Sequence, residues 1–251
     1  MTATERTFDL GRPEALPTTS HLVIAIDFGT TFTGVAYLHY PGPQSGIQPD
    51  LQQIAQRITV VRRWPNATGR FTEKTPSKIS YHTDPPAWGR QVQPTDQPQA
   101  SLFKLGLEPR TQHYYRSPDA QATALLRNRA RQQIDNKKPV DVTADYLTCV
   151  HRHVHDVLFR EQFGENYLET QRTSYVITVP TIWSDYAQSL TKQAAERARI
   201  PANMISLITE PEAAAQYCAT KCEEVDLGVG DRFLVCDAGG GTVVRSSQIH
   251  F

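Results

Sequence analysis

Ile24-Ala-Ile-Asp-Phe-Gly-Thr-Thr31 decides how this chain reads, because the same pattern returns as Phe233-Leu-Val-Cys-Asp-Ala-Gly-Gly-Gly-Thr242. Each copy is a short apolar run that ends in an aspartate and turns through glycine into threonine. Such a run, bounded by glycine, predicts a strand, and the stretch 21–27 is apolar enough to be expected buried on both faces. A strand that stops at Asp and turns at Gly can bring main-chain N–H groups against a phosphate, because glycine lets the backbone approach closely. The threonine hydroxyls add donors, and the carboxylate can hold a hydrated Mg²⁺. Two such loops facing each other would clamp the phosphates of a nucleotide, whereas either one alone is equally a tight turn after a strand.

Outward from the first copy, Thr33-Gly-Val-Ala-Tyr-Leu-His39 returns as a second strand and completes a hairpin, which Pro41-Gly-Pro43 ends. Strands are expected over 57–64 and 78–81, and a loop over 84–100, which is rich in Pro and Gln. Apolar recurrence at three and four predicts helices over 120–134 and 143–163, with Asp141 or Thr143 as N-cap of the second. Strand and helix then alternate: strand 173–179, helix 184–198, strand 204–208, helix 211–220, strand 231–236. That order argues for an α/β core with parallel pairings beside the opening hairpin. Residues 1–20 are polar and read as a flexible tail.

Lys+Arg and Asp+Glu number 26 each, so the formal net charge is zero. That balance gives no support to a nucleic-acid or membrane-surface partner. No apolar run approaches the roughly 20 residues of a membrane helix. The four cysteines (Cys149, Cys218, Cys222 and Cys236) are scattered along the chain, which fits a reduced compartment, the cytoplasm or alternatively the nucleus. His151, His153 and His155 lie at helical spacing but have no fourth-ligand pattern, so they read as a solvated helix face rather than a metal site.

The ordered segments resemble the seventy-kilodalton heat-shock chaperone family. The two Asp-Gly-Thr copies resemble its two phosphate motifs. Tyr175-Val-Ile-Thr-Val-Pro-Thr-Ile-Trp-Ser-Asp185 is similar to its connecting strand and helix start, and Leu207-Ile-Thr-Glu-Pro-Glu-Ala-Ala-Ala215 to its Glu-Pro-x-Ala-Ala-Ala segment. Thr75-Pro-Ser77 and Trp88-Gly89 also match its pattern. The resemblance covers residues 21–243 and points to a divergent branch without the usual peptide-binding domain. It implies an actin-like ATPase (ribonuclease H-like) α/β fold, of which this chain carries the first lobe plus the beginning of the second. The expected division is a tail over 1–20, a first lobe over 21–230 with an inserted subdomain at about 54–138, and a truncated second lobe starting over 231–251.

What the resemblance implies about residues follows the motifs. Asp27 and Asp237 would position Mg²⁺ through waters. Gly29, Thr30 and Thr31 would contact the phosphates from the first loop, and Gly239, Gly240, Gly241 and Thr242 from the second. Glu210 would orient the attacking water, although an acid at a helix start is also favoured by the helix dipole alone. Lys104 would neutralise phosphate charge as the bond breaks, against the plain alternative of a solvated surface lysine. The expected ligands are ATP or ADP with Mg²⁺, and the expected partners are co-chaperones and client proteins. Val244 stands where the pattern has a second metal-site carboxylate, and valine cannot accept a hydrogen bond from a metal-bound water. Two other functions fit the same fold: a catalytically inactive remnant acting through protein contacts, and a small-molecule kinase.

Overall fold

The computed structural model describes residues 8–9, 21–40, 51–67, 72–108, 134, 137–165, 167, 172–221, 232–238 and 243–250, the side chains of 8–9, 51–52, 219–221, 232–238 and 243–250 excepted. In chain order the elements are β1 (Phe8–Asp9), β2 (His21–Phe28), β3 (Phe32–Tyr40), α1 (Leu51–Gln56), β4 (Thr59–Val60), β5 (Lys74–Pro76), β6 (Lys78–Ser80), β7 (Ala87–Trp88) and β8 (Gln99–Ser101). There follow α2 (Pro139–Arg152), a π-helical continuation (His153–Phe159), α3 (Arg160–Phe163), β9 (Arg172–Val179), α4 (Asp185–Arg197), β10 (Ile205–Thr209), α5 (Glu210–Lys221), β11 (Arg232–Ala238) and β12 (Val243–His250).

The main sheet runs β10-β9-β2-β3-β4, with β5 also paired to β3. β10, β9 and β2 are parallel, and β2 with β3 is the antiparallel hairpin that the opening motif predicts. The mixed α/β class is therefore the observed one. The register sets Ile26 beside Ile177 on β9 and opposite Val35 on β3, so apolar residues of three strands share one face.

That face is covered; the other is only partly so. Along β2, Leu22, Ile24, Ile26 and Phe28 are buried, while His21, Val23, Ala25 and Asp27 are half-buried. The expectation of a strand buried on both faces is thus corrected to an alternating one, since period-two side chains meet a continuous layer on one side only. Tyr146, Leu147 and Val150 of α2 supply that layer together with Ala187 and Ala194 of α4. Phe28 lies 6.2 Å from the Tyr146 ring, and Tyr37 meets Phe159 edge-on at 4.9 Å.

Other elements differ from their sequence-based expectations. The strand expected over 57–64 shrinks to the exposed edge pair Thr59–Val60, preceded by α1, because Arg62 and Arg63 turn outward to Glu73 and Glu161. The region 84–100 contains β7, one 3₁₀ turn and the start of β8, which form a small antiparallel sheet with β6. α2 begins at Pro139, four residues before 143, with proline in the first turn where its missing N–H costs nothing. Asp141 is then not the N-cap but the residue whose carboxylate reaches back to the Lys138 N–H at 2.9 Å. The helix expected over 120–134 lies outside the described residues, Ile134 excepted. β11 pairs antiparallel with β12, and β1, within the stretch read as tail, pairs parallel with β12.

Candidate functional site

β2, β9 and β10 end side by side, and their carboxyl ends carry Phe28-Gly29, Pro180 and Glu210 respectively. In parallel α/β sheets the crevice outside the strands' carboxyl ends is where ligands bind.

Gly29 closes the turn after β2. Its N–H is shared between the carbonyls of Asp27 at 3.1 Å and Phe32 at 3.0 Å. A Cβ at residue 29 would fall 2.3 Å from the Phe32 carbonyl oxygen, so no other residue fits the turn. The turn is braced from outside. Ser77 donates its N–H to the Thr31 carbonyl at 2.8 Å and its hydroxyl to the Gly29 carbonyl at 2.7 Å, while the Thr33 hydroxyl lies 2.9 Å from the Ser77 hydroxyl. Gly89, in left-handed backbone at φ 59°, packs on Thr75, where a Cβ would stand 2.4 Å from the threonine hydroxyl. Thr75-Pro-Ser77 therefore holds the first loop, and Gly89 packs behind that segment on Thr75.

Lys104 sits in a 3₁₀ turn, Phe103–Leu107, and is 1% exposed. Its Nζ donates to the Phe28 carbonyl and, at 2.6 Å, to Glu210 Oε1. The ammonium also lies 5.4 Å from the Phe28 ring centre and 5.3 Å from that of Trp183. Burying a lysine amine is costly unless it is paired and hydrogen-bonded, which this one is. The solvated-surface alternative for Lys104 is excluded, and two residues 106 apart in sequence meet. Glu210 is placed by a capping box at the start of α5. Thr209 Oγ1 accepts from the Glu212 N–H at 3.3 Å, and Glu212 Oε2 accepts from the Thr209 N–H at 3.3 Å.

Asp27 faces the other, half-open side of β2. Its Oδ1 accepts from the Thr178 hydroxyl at 2.9 Å, and its Oδ2 from Lys74 Nζ at 2.5 Å. Thr30 is buried and Thr31 half-buried in the same turn. Of the second copy, Asp237 lies on β11 in register with Val244 on β12, and Gly239, Gly240, Gly241 and Thr242 lie outside the described residues.

Sequence reasoning missed Lys74 and Thr178. Lys74 immediately precedes the flagged Thr75-Pro-Ser77, so its neighbourhood was readable, but its contact with residue 27 depends on sheet register.

The histidines are corrected. His151 and His155 are half-buried and partnered rather than a freely solvated face: their Nε2 atoms lie 3.0 and 2.7 Å from the Tyr175 hydroxyl, with ring centres 4.0 Å apart. Burial lowers His151 to about 4 and, with the neighbouring His151, His155 to about 3. His153 Nε2 instead lies 2.7 Å from the Arg63 carbonyl. Among the described residues no group of three His, Cys, Asp or Glu could hold a metal ion, and no helix is long and apolar enough to cross a membrane.

No protein-family model matches the chain. Curated proteins do. A chaperone protein HscA homolog of Verminephrobacter eiseniae is 34% identical over 125 residues, which is 50% of this chain and 17% of that protein. The human heat shock 70 kDa protein 12A is 25% identical over 217 residues, 78% of this chain and 28% of that protein. An HscA homolog of Burkholderia multivorans is 28% identical over 227 residues, 90% of this chain and 32% of that protein. The chain thus spans less than a third of the length of these relatives. Over the segment it shares with them, the chain is a relative of the seventy-kilodalton heat-shock chaperones.

Proposed function

We propose that this chain binds ATP at the turn after β2, as the first lobe and the start of the second lobe of an actin-like ATPase fold of the heat-shock chaperone type. The observation that carries the reading is the buried Lys104–Glu210 pair anchored on the Phe28 carbonyl, one residue from the glycine turn. Sealed at 1% exposure, the Lys104 ammonium makes no direct contact with a ligand; it places positive charge beneath the turn, which favours a phosphate above it through space. The Gly29 N–H is engaged inside the turn, so the role of Gly29 here is shape, and donation falls to Thr30 and Thr31. Gly239, Gly240, Gly241 and Thr242 would close on the phosphates from the second loop.

The donor set fits a polyphosphate. Its fit to a hydrated Mg²⁺ is poorer: Asp27 could accept from metal-bound waters alongside Asp237, but one Asp27 oxygen already carries an ammonium. When bound, the metal would neutralise phosphate charge. In the family reading Glu210 holds a water for attack while Lys104 keeps that carboxylate in place, and lobe closure with co-chaperones and clients would follow hydrolysis.

The test is thermal unfolding of the chain with ATP, with and without Mg²⁺. At ligand concentrations about a hundred times Kd the fold gains about 2.7 kcal/mol, and the melting temperature rises by several degrees. An unchanged melting temperature at millimolar ATP in both buffers would sink the reading. A nucleotide binder that does not hydrolyse is the second reading, favoured by Val244 in place of a carboxylate. Binding without phosphate release would select it.

A further inference from the structure

Lys74 reaches Asp27 across an intervening strand. In the register of the main sheet Lys74 on β5 stands opposite Gly34 on β3, and Gly34 stands opposite Asp27 on β2. Two strand spacings of about 4.8 Å separate the outer positions, a gap that a lysine and an aspartate side chain can close only by lying over the middle residue. Gly34 leaves that path open: a Cβ there would stand 3.3 Å from Lys74 Cγ and 3.6 Å from its Cε. Thr178 on β9 continues the same row from the far side of β2 and holds the other Asp27 oxygen. The row Lys74, Gly34, Asp27, Thr178 crosses four strands at the end of the sheet where Gly29, Thr30 and Thr31 turn.

We propose that Lys74 is a phosphate ligand of this site and supplies part of the positive charge that a divalent metal otherwise brings, so that ATP binds here with little dependence on Mg²⁺. The proposal rests on the nucleotide reading above. Two observations separate it from that reading. Lys74 Nζ already lies 2.5 Å from Asp27 Oδ2, so a metal hydrate on that carboxylate would have to share it with a second positive charge, and the two cations would repel. Val244 offers no carboxylate to offset them.

Both members of the pair are accessible, Lys74 at 53% and Asp27 at 40% side-chain exposure. Such pairs are weakly held, so the ammonium can move to an incoming phosphate at little cost. Asp27 stays fixed meanwhile by the Thr178 hydroxyl. Lys104, by contrast, is locked by two acceptors in the core. The two lysines therefore divide the work, one fixed below the turn and one mobile above it.

The experiment is calorimetric titration of ATP into the full chain in millimolar Mg²⁺ and again in EDTA. It is run on the wild type, Lys74→Met, Lys74→Arg and the control Lys78→Met, an exposed lysine on β6. For the wild type and the control, the two buffers are expected to give dissociation constants within about threefold. One charge-assisted hydrogen bond to phosphate corresponds to roughly tenfold to a hundredfold in affinity. Lys74→Met should lose that much in EDTA and recover most of it in Mg²⁺, whereas Lys74→Arg should stay near wild type. Melting curves for each variant without nucleotide confirm folding. Wild-type binding that needs Mg²⁺, with Lys74→Met showing the same dependence, overturns the role of Lys74 and leaves the nucleotide reading intact. Absence of wild-type binding in both buffers overturns the nucleotide reading and this inference with it.

Discussion

Lys104 and Glu210 show how much one contact can decide. The Lys104 side chain is 1% exposed, whereas that of its partner Glu210 is 14% exposed. Removing either partner therefore has unequal consequences. Glu210→Gln leaves an ammonium sealed among Phe28 and Trp183 with only neutral acceptors, the Phe28 carbonyl and the amide oxygen, and losing the opposite charge of a buried pair costs about 3 kcal/mol or more. Lys104→Met leaves a carboxylate that water can reach, while the new side chain fills the apolar pocket. Urea unfolding is expected to show Glu210→Gln as clearly the less stable of the two, and equal losses would refute that division. Gly29 is the second decisive residue. Gly29→Ala places a methyl group 2.3 Å from the Phe32 carbonyl oxygen, so the turn must open, and urea unfolding is expected to show a stability loss of about 1 kcal/mol or more, together with loss of the proposed ATP binding. Both sites were legible in the amino-acid pattern because glycine and the Glu-Pro-x-Ala-Ala-Ala segment leave a local signature. Lys74 was not, since nothing local distinguishes a lysine over a glycine from one in solvent.

At the scale of elements, the helix that starts at Pro139 and runs on through its π-helical continuation presses His151 and His155 onto Tyr175 of β9. Burial lowers their pKa to about 4 and about 3, from an ordinary value of 6.5. The folded chain therefore holds these rings neutral where the unfolded chain protonates them. Stability from the pair is fully present above pH 6.5 and is lost progressively as pH falls toward 4 and then 3, since the unfolded state binds more protons in that window. Urea midpoints measured from pH 7 to pH 4 should fall steadily, and His155→Phe, which retains a ring against Phe159, should flatten the slope. An unchanged slope in that variant would count against the assignment. The histidine spacing was visible in the sequence, but the partner was not: Tyr175 lies 20 residues beyond His155, and only packing of helix on strand brings the hydroxyl to both rings.

For the whole molecule, the sheet order decides which parts open first. β2 is paired on both edges, with β3 and β9, and β9 is paired with β2 and β10. β4 is a two-residue, exposed edge strand. Native-state hydrogen exchange should find the slowest amides on β2 and β9 and fast exchange on β4, following burial and pairing. Protection of β4 equal to that of β9 would mean that the sheet continues beyond it. The same order gathers the ends of β2, β9 and β10, which are far apart in sequence, into one crevice.

Sequence alone determined the strand–helix alternation, the opening hairpin, the glycine turn and the resemblance to heat-shock chaperones, because each is written in local composition or in an ordered set of short motifs. Tertiary structure alone decided that β2 buries one face rather than two, that Lys104 is sealed against Glu210, that the histidines face a tyrosine and that Lys74 reaches Asp27. Each of those outcomes depends on which element lies across another. Register and layer packing set that through contacts such as Asp27 with Thr178, 151 positions apart, a distance over which no local pattern carries a signal.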